Sequence, residues 1–412
     1  MIALGWALVG LLALIVVARV VGPTYAVAGD AHYVFAAARS LAFDGDLDLT
    51  NQYWRMGDRW GLGRDPALDG WRLPPREIGA SLAMVPGLLV HHLAGIGPAW
   101  EPTFASAFAA LSLAGLWLGC LACLDACDDR AGRARDPARG WLAAAIVLAS
   151  VAPFYAIGRS GYSHAPDALA CAWLTWALVA RRGPALIGAL LACTVLIRMQ
   201  NLLWLLWPLL ELARAPAEQR RGELARSCGI AAVACLGLAP QIWLALAHPG
   251  SVHGAIRWDA SFFDLDALGR DLVRVLFGVH GLIRWTPLAG LALIGLSWAS
   301  PERRAIAWPS LLVIAALVLL CASVRDVEGG DAFGARRLAG IVALLGIGLS
   351  SVHDRLALAG RRVLLGACWV AVAINLGLVT LAIAGRLSLA SPAGESYSSA
   401  AESYSSAGEN RG

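Results

Sequence analysis

Apolar runs separated by short polar breaks recur along the whole chain. They fall near residues 2–21, 79–97, 103–124, 141–157, 166–180, 184–197, 200–213, 228–247, 287–299, 306–322, 338–352 and 363–384. Many are long enough, or nearly so, to cross a hydrocarbon core of about 30 Å. Backbone groups in lipid must bond within their own segment, so these runs predict helices. The expected fold is all-α: a polytopic transmembrane helical bundle over 1–384. Two long hydrophilic stretches, 22–78 and 248–286, interrupt the pattern. The last residues, 385–412, repeat Glu-Ser-Tyr-Ser-Ser-Ala at 395–400 and 402–407 and predict a disordered, low-complexity tail.

Composition agrees. The 412 residues are 58% hydrophobic and only 15% charged, against about 25% charged in soluble domains. The first run, 2–21, ends near an Ala26-Val27-Ala28 that resembles a cleavage site. It lacks a basic start and is long, so it reads as an uncleaved first span.

The 33 basic residues are all arginine, and their placement carries more information than the net charge of +4. Arg130, Arg133, Arg135 and Arg139 share one short loop. Arg181 and Arg182 follow, then Arg214, Arg220, Arg221 and Arg226, then Arg303 and Arg304, then Arg355, Arg361 and Arg362. The positive-inside rule puts these loops in the cytoplasm. With the N-terminus inside, that holds only if 79–97 does not cross. This segment carries Pro86, Gly87 and His91-His92, which suits an interfacial helix. The count is then about eleven spans, with 22–78, 158–165, 248–286 and 323–337 sharing the outer face; a crossing 79–97 would make twelve.

Nine cysteines are present. Cys120, Cys123 and Cys127 have a metal-like spacing, but they close an apolar run without a neighbouring His and read as packing residues. No disulfide framework is legible.

Candidate chemistry gathers in the outer breaks. Gly29-Asp30-Ala31-His32-Tyr33 follows the first run; a carboxylate there can serve as a general base, hold a metal or cap the next helix. Asp44-Gly45-Asp46-Leu47-Asp48 suggests a turn more than a calcium loop, because Arg55 stands where that loop needs Glu. Arg159–Asp167 is dense in polar groups, with His164 and Asp167 foremost. Ser163, His164 and Asp167 do not make a hydrolase triad, lacking a nucleophile elbow. Arg198 either binds a phosphate or extends to the interface. Arg336 and Arg337 follow the Gly-rich Glu328–Gly334 and run against the charge rule, which points to an anion site.

In their order these pieces resemble the GT-C class of membrane glycosyltransferases, which includes the protein O-mannosyltransferases and aminoarabinose transferases. The residues that carry the resemblance are Gly29-Asp30-Ala31-His32-Tyr33 with Ala38–Leu49, Tyr162–Asp167, Gly281–Pro287 and Gly329–Leu338. It covers about 1–350. It implies a large first external loop with interfacial helices, and transfer of a sugar from a polyprenyl-phosphate donor to a lipid, glycan or protein acceptor. By this analogy Asp30 is the general base and Asp167 a second catalytic acid. His32, Tyr33, His164, Arg198, Arg336 and Arg337 bind substrate. The class would sit in a bacterial inner membrane, with its site on the outer face and no nucleic-acid partner. Ala31 or His32 stands where a second acid is usual, so dependence on Mg2+ or Mn2+ stays open. The rival from another class, a transporter or flippase for a lipid-linked or anionic solute, predicts internal repeats and broken spans near mid-membrane.

Overall fold

The computed structural model describes residues 29–58, 70–248, 263–327, 332–387 and 389. The expected first span, residues 59–69 and 249–262, Glu328–Asp331 and the tail from 390 lie outside them.

Among the described residues the chain is helical, with one isolated bridge, Phe263 to Val324. In order the helices are α1 (Asp30–Arg39), α2 (Thr50–Met56), α3 (Gly79–Leu93), α4 (Glu101–Arg130), α5 (Ala138–Leu148), α6 (Ala152–Ile157), α7 (His164–Val179), α8 (Pro184–Ile197) and α9 (Leu206–Arg214). Then come α10 (Ala217–Gly237), α11 (Ala239–Ala247), α12 (Leu268–Phe277), α13 (Leu282–Trp285), α14 (Leu288–Ser297), α15 (Arg304–Ser323), α16 (Val342–Arg355) and α17 (Leu358–Ile383). Tighter 3-10 turns at Met199–Leu205 and Arg336–Ile341 lead into α9 and α16.

Four helical segments are long and apolar enough to cross a membrane: Pro98–Arg130, Pro301–Ser323, Arg336–Arg355 and Leu358–Ile383. Two bent pairs raise the number to six. Leucines and valines on these helices stay outward-facing, Val363 at 72% exposed and Leu236 at 74%. A lipid-covered bundle has such an exterior. An aqueous one would bury it.

Ion pairs identify one end of the bundle. Arg130 meets Glu211, Arg133 meets Glu302 and Asp354, Arg181 meets Glu223, and Arg361 meets Asp136. Every basic loop read from the sequence therefore contributes to one polar layer. Its centre is enclosed: Asp128, fully buried, accepts from Arg139 Nε and Nη2 at 2.8 and 2.9 Å and also from Arg303.

The opposite end carries Asp30, Arg198 and Arg336. Helix α3 lies there. Its first residue packs on the backbone of Leu196 and Ile197, where α8 ends, and Gly87 on that of Phe104, in the first turn of α4. The start and the middle of α3 therefore touch the same end of the bundle. Pro86 is accommodated inside it.

The main core joins α4 through α8 to α14, α15 and α16, with Trp204, Trp207 and Tyr155 fully buried. Helices α14 and α16 approach backbone to backbone, since a Cβ on Gly295 would overlap the Gly348 carbonyl. Small residues allow such contact where burial from water gives no drive between helices. Two lesser clusters hold α1. Tyr33, Leu49, Tyr53 and Leu73 bind it to the first loop, and Phe35, Ala38, Met84 and Leu88 bind it to α3.

Two expectations need correction. The run 141–157 is two helices broken at Ala149–Val151, where the Asn375 amide donates to the freed carbonyls of Leu148 and Ser150 at 2.8 Å each. The stretch 248–286 is not uniformly hydrophilic: α12 buries Val275 and packs on the core. Trp285, just before α14, packs at 4.6 Å on Phe333, and its indole N–H donates to the Val279 carbonyl.

Candidate active site

Asp30 opens α1, and Gly29 precedes it at φ +63°. A side chain at Gly29 would be strained by that φ and would overlap the Tyr162 hydroxyl. Glycine is therefore required where the first loop touches the Arg159–Asp167 turn.

The Asp30 carboxylate does not cap its helix. It pairs instead with Arg76, Oδ1 to Nη2 at 2.8 Å, and remains 25% exposed. Burial alone would raise its pKa. The guanidinium of Arg76 outweighs this, helped by Arg336 and Arg198, and holds the carboxyl below its ordinary value. Asp30 is thus an anion over the physiological range, at the N-terminus of a helix and within reach of solvent.

Tyr162 links this carboxylate to the other candidates. Arg336 lies over its ring at 5.9 Å and Arg159 at 5.7 Å. The Tyr162 ring stacks on His164 at 6.0 Å, and the Tyr155 ring meets His164 edge-on at 4.5 Å. His164 Nδ1 is 2.7 Å from Arg198 Nη1. Arg198 also donates to Gln200, whose amide reaches the Arg337 carbonyl at 2.6 Å. Asp30, His164, Arg198, Arg336 and Arg337 are therefore gathered at one end from four separate parts of the chain.

Not all of them face outward. Asp167 is fully buried. Its Oδ1 accepts from the Asn201 amide at 2.6 Å and the Cys171 thiol at 3.6 Å, and its Oδ2 lies 3.9 Å from Arg198 Nε. In this place it is enclosed behind Arg198 and has no exposed surface. Arg337 is engaged by Asp326, at 2.9 Å to its carboxylate. His32 and Tyr33 bind the 57–58 turn, His32 through the Gly57 carbonyl at 2.7 Å and Tyr33 through Asp58 at 2.8 Å. Arg336 differs: among the described residues its guanidinium has no ion pair and no hydrogen bond, only the Tyr162 ring.

The acidic turn behaves as a turn. Gly45 is left-handed, and Asp46 accepts from Ser40 and from the Asp48 backbone. Cys120, Cys123 and Cys127 are buried free thiols. Among the described residues no three His, Cys, Asp or Glu side chains gather to hold a metal. The neighbours of Asp30 are guanidiniums, which repel a cation.

No family model, curated protein or solved structure matches the chain.

Sequence reading missed Arg76 and Tyr162. Arg76 is 46 positions from its partner, so no local spacing connects them. The Pro74-Pro75 stretch before it, stiff and ending at α3, was the available sign of a fixed side chain. Tyr162 was visible only as one polar residue among several.

Proposed function

We propose that the chain is an integral membrane glycosyltransferase of the GT-C kind, moving a sugar from a polyprenyl-phosphate donor at the outer face of a bacterial plasma membrane. The observation that carries this is the nearness of a solvent-reachable carboxylate, Asp30, to an arginine, Arg336, that has no acid partner among the described residues. The two meet across Tyr162.

The topology is consistent with it. Taken as crossings, α4, α5 with α6, α7, α8, 199–214, α10 with α11, α14, α15, 336–355 and α17 make ten. The run 2–21 would make eleven. The arginine layer is then cytoplasmic, and Asp30, the first loop and the interfacial α3 lie outside.

In the reaction, Asp30 accepts the proton of an acceptor hydroxyl on a lipid, glycan or protein. The oxygen attacks the anomeric carbon, and the bond from that carbon to the phosphate oxygen breaks. Polyprenyl monophosphate leaves as an anion and the anomeric configuration inverts. Arg336, with Arg198 behind it, offsets the charge that develops on the leaving phosphate. No step requires a metal.

The transporter reading gains little support. Two bent pairs, α10 with α11 by 51° and Leu268–Trp285 with α14 by 101°, match the broken spans it asks for, but no carboxylate stands at either break, 237–241 or 284–288, to hold a coupling ion. The test is release of polyprenyl phosphate from a polyprenyl-phosphate sugar by the purified chain in liposomes. Asp30→Asn is expected to slow it by about 100-fold or more, the usual contribution of a general base. Full activity in that variant would refute the assignment.

A further inference from the structure

Beside Arg336 lies a shallow crevice, partly open to the exterior, whose non-atom space of about 370 Å³ includes that open solvent. Arg274, Val275, His280, Cys321, Arg336 and Arg337 line it. Nothing in the transfer mechanism uses Arg274 or His280.

Charge in and around the crevice is unbalanced. Arg270 and Arg274 share one acid, Asp271, at 3.0 and 3.4 Å. Arg337 has Asp326, and Arg336 has none. Among these described residues four guanidiniums face two carboxylates. Guanidiniums with surplus charge at a concave site select phosphate, whose oxygens match their fork of donors.

The wall of the crevice indicates where the phosphate comes from. Segment Leu268–Trp285 turns through 101° into α14. Helix α14 runs along α16, which belongs to a segment long enough to span a membrane. Helix α12 therefore lies close to the membrane plane. One side of it buries Asp271 and Val275. The other exposes Val273 at 59% and Phe277 at 57%, next to Arg270 and Arg274. Apolar residues interleaved with arginines on an in-plane helix are the pattern of a segment seated at the lipid interface.

We infer that this crevice holds the phosphate head of a membrane lipid, which enters from the bilayer past Val273 and Phe277. The inference deepens the proposed transfer and rests on it only for the identity of the lipid, a polyprenyl monophosphate or its glycosyl ester. It adds Arg274 and His280 to the site.

Binding without turnover tests it. The full chain, in nanodiscs of zwitterionic phosphatidylcholine, is loaded with radiolabelled polyprenyl monophosphate and challenged with unlabelled competitors. The monophosphate should displace the label, whereas polyprenol and inorganic phosphate at equal concentration should not. Arg274→Gln and Arg336→Gln should each weaken binding by about tenfold, one charge-assisted contact. Arg270→Gln, on the same helix but outside the crevice, should not change it. If Arg336→Gln does not fold, Arg274 on the partly exposed helix carries the result. Equal competition by polyprenol would mean a tail-only site, and equal competition by inorganic phosphate a free-anion site; either overturns the inference. So would unchanged binding in Arg274→Gln. A chain that binds the monophosphate but transfers no sugar keeps this site and removes the transfer reading.

Discussion

Asp128→Asn tests the arginine layer that orients the whole bundle. The change keeps the size of the side chain and removes its charge. It leaves Arg139 and Arg303, 3% and 2% exposed, without their shared carboxylate. Breaking a buried ion pair from one side costs about 3–5 kcal/mol, mostly the penalty of the orphaned charge. Asp354 lowers this, because it stands 2.8 Å from Arg139 and 2.9 Å from Arg303 and keeps one partner for each. The expected loss is therefore near the lower end, about 3 kcal/mol. Unfolding of the purified chain in mixed micelles, followed through its 17 tryptophans, gives the measurement. Asp129→Asn is the control one residue away. Its partner Arg135 is 62% exposed and Asp129 itself 57%, so its loss should stay below about 1 kcal/mol. The double variant Asp128→Asn with Arg139→Met should lose less than the two single losses together, since one orphaned charge has gone. Equal losses at Asp128 and Asp129, or strict additivity in the double variant, would show that the layer is not a buried network.

Other consequences concern the Asp30 end. Arg76→Gln removes the guanidinium that opposes the burial penalty on Asp30, so the carboxyl pKa rises and the acid limb of the transfer profile should move to higher pH; an unmoved limb would separate Asp30 from the rate. The pair itself stabilises the fold only above the unfolded aspartate value near 3.8, and this is lost as pH falls through the lower folded value, so Arg76→Gln and the native chain should differ little in stability once both are acidified below it. Gly29→Ala should reduce transfer without unfolding the bundle, because it forces Tyr162 away at one turn; thermal unfolding and activity assayed together would expose a merely global effect. In a background lacking the exposed Cys193, Cys228 and Cys235, Arg55→Cys and Arg135→Cys should react with an impermeant thiol reagent from opposite sides of sealed vesicles, and reaction from one side would overturn the topology.

Much of this was legible in the sequence where position along the chain decides the outcome. The basic loops are such a case. Each charge avoids lipid locally, so Arg133, Arg181 and Arg303 could be assigned to one side without knowing their partners. Helix α1 was similar, its apolar run Tyr33–Ala38 marking a buried element. What could not be read were pairings across distance. Asp128 looked like one of several acids in a loop and is the centre of the layer. Asp167 looked like an outer acid and is enclosed by α7, the 199–205 turn and Gly340. Helix α12 was hidden because Arg270, Asp271 and Arg274 interrupt its apolar residues. Its meaning comes from the right-angle turn into α14, which no residue spacing reports.

The two ends use the same residue type in different ways, and this separates structure from chemistry. In the arginine layer the buried guanidiniums Arg139 and Arg303 each have acids within hydrogen-bonding distance. Such a layer resists rearrangement, because moving one member strands another. At the Asp30 end the balance is left incomplete. Arg198 is held by His164, Gln200 and Asp167, but Arg336 rests on an aromatic ring that asks little for its release. A cation without an acid raises the folding cost of its own region, and a ligand that brings the missing charge recovers it. The same comparison therefore predicts that a phosphate-bearing lipid raises the thermal stability of the native chain. Arg336→Met should lose that dependence while its stability without lipid stays equal or rises. If Arg336→Met is as stabilised by the lipid as the native chain, Arg336 belongs to the fold and not to the site.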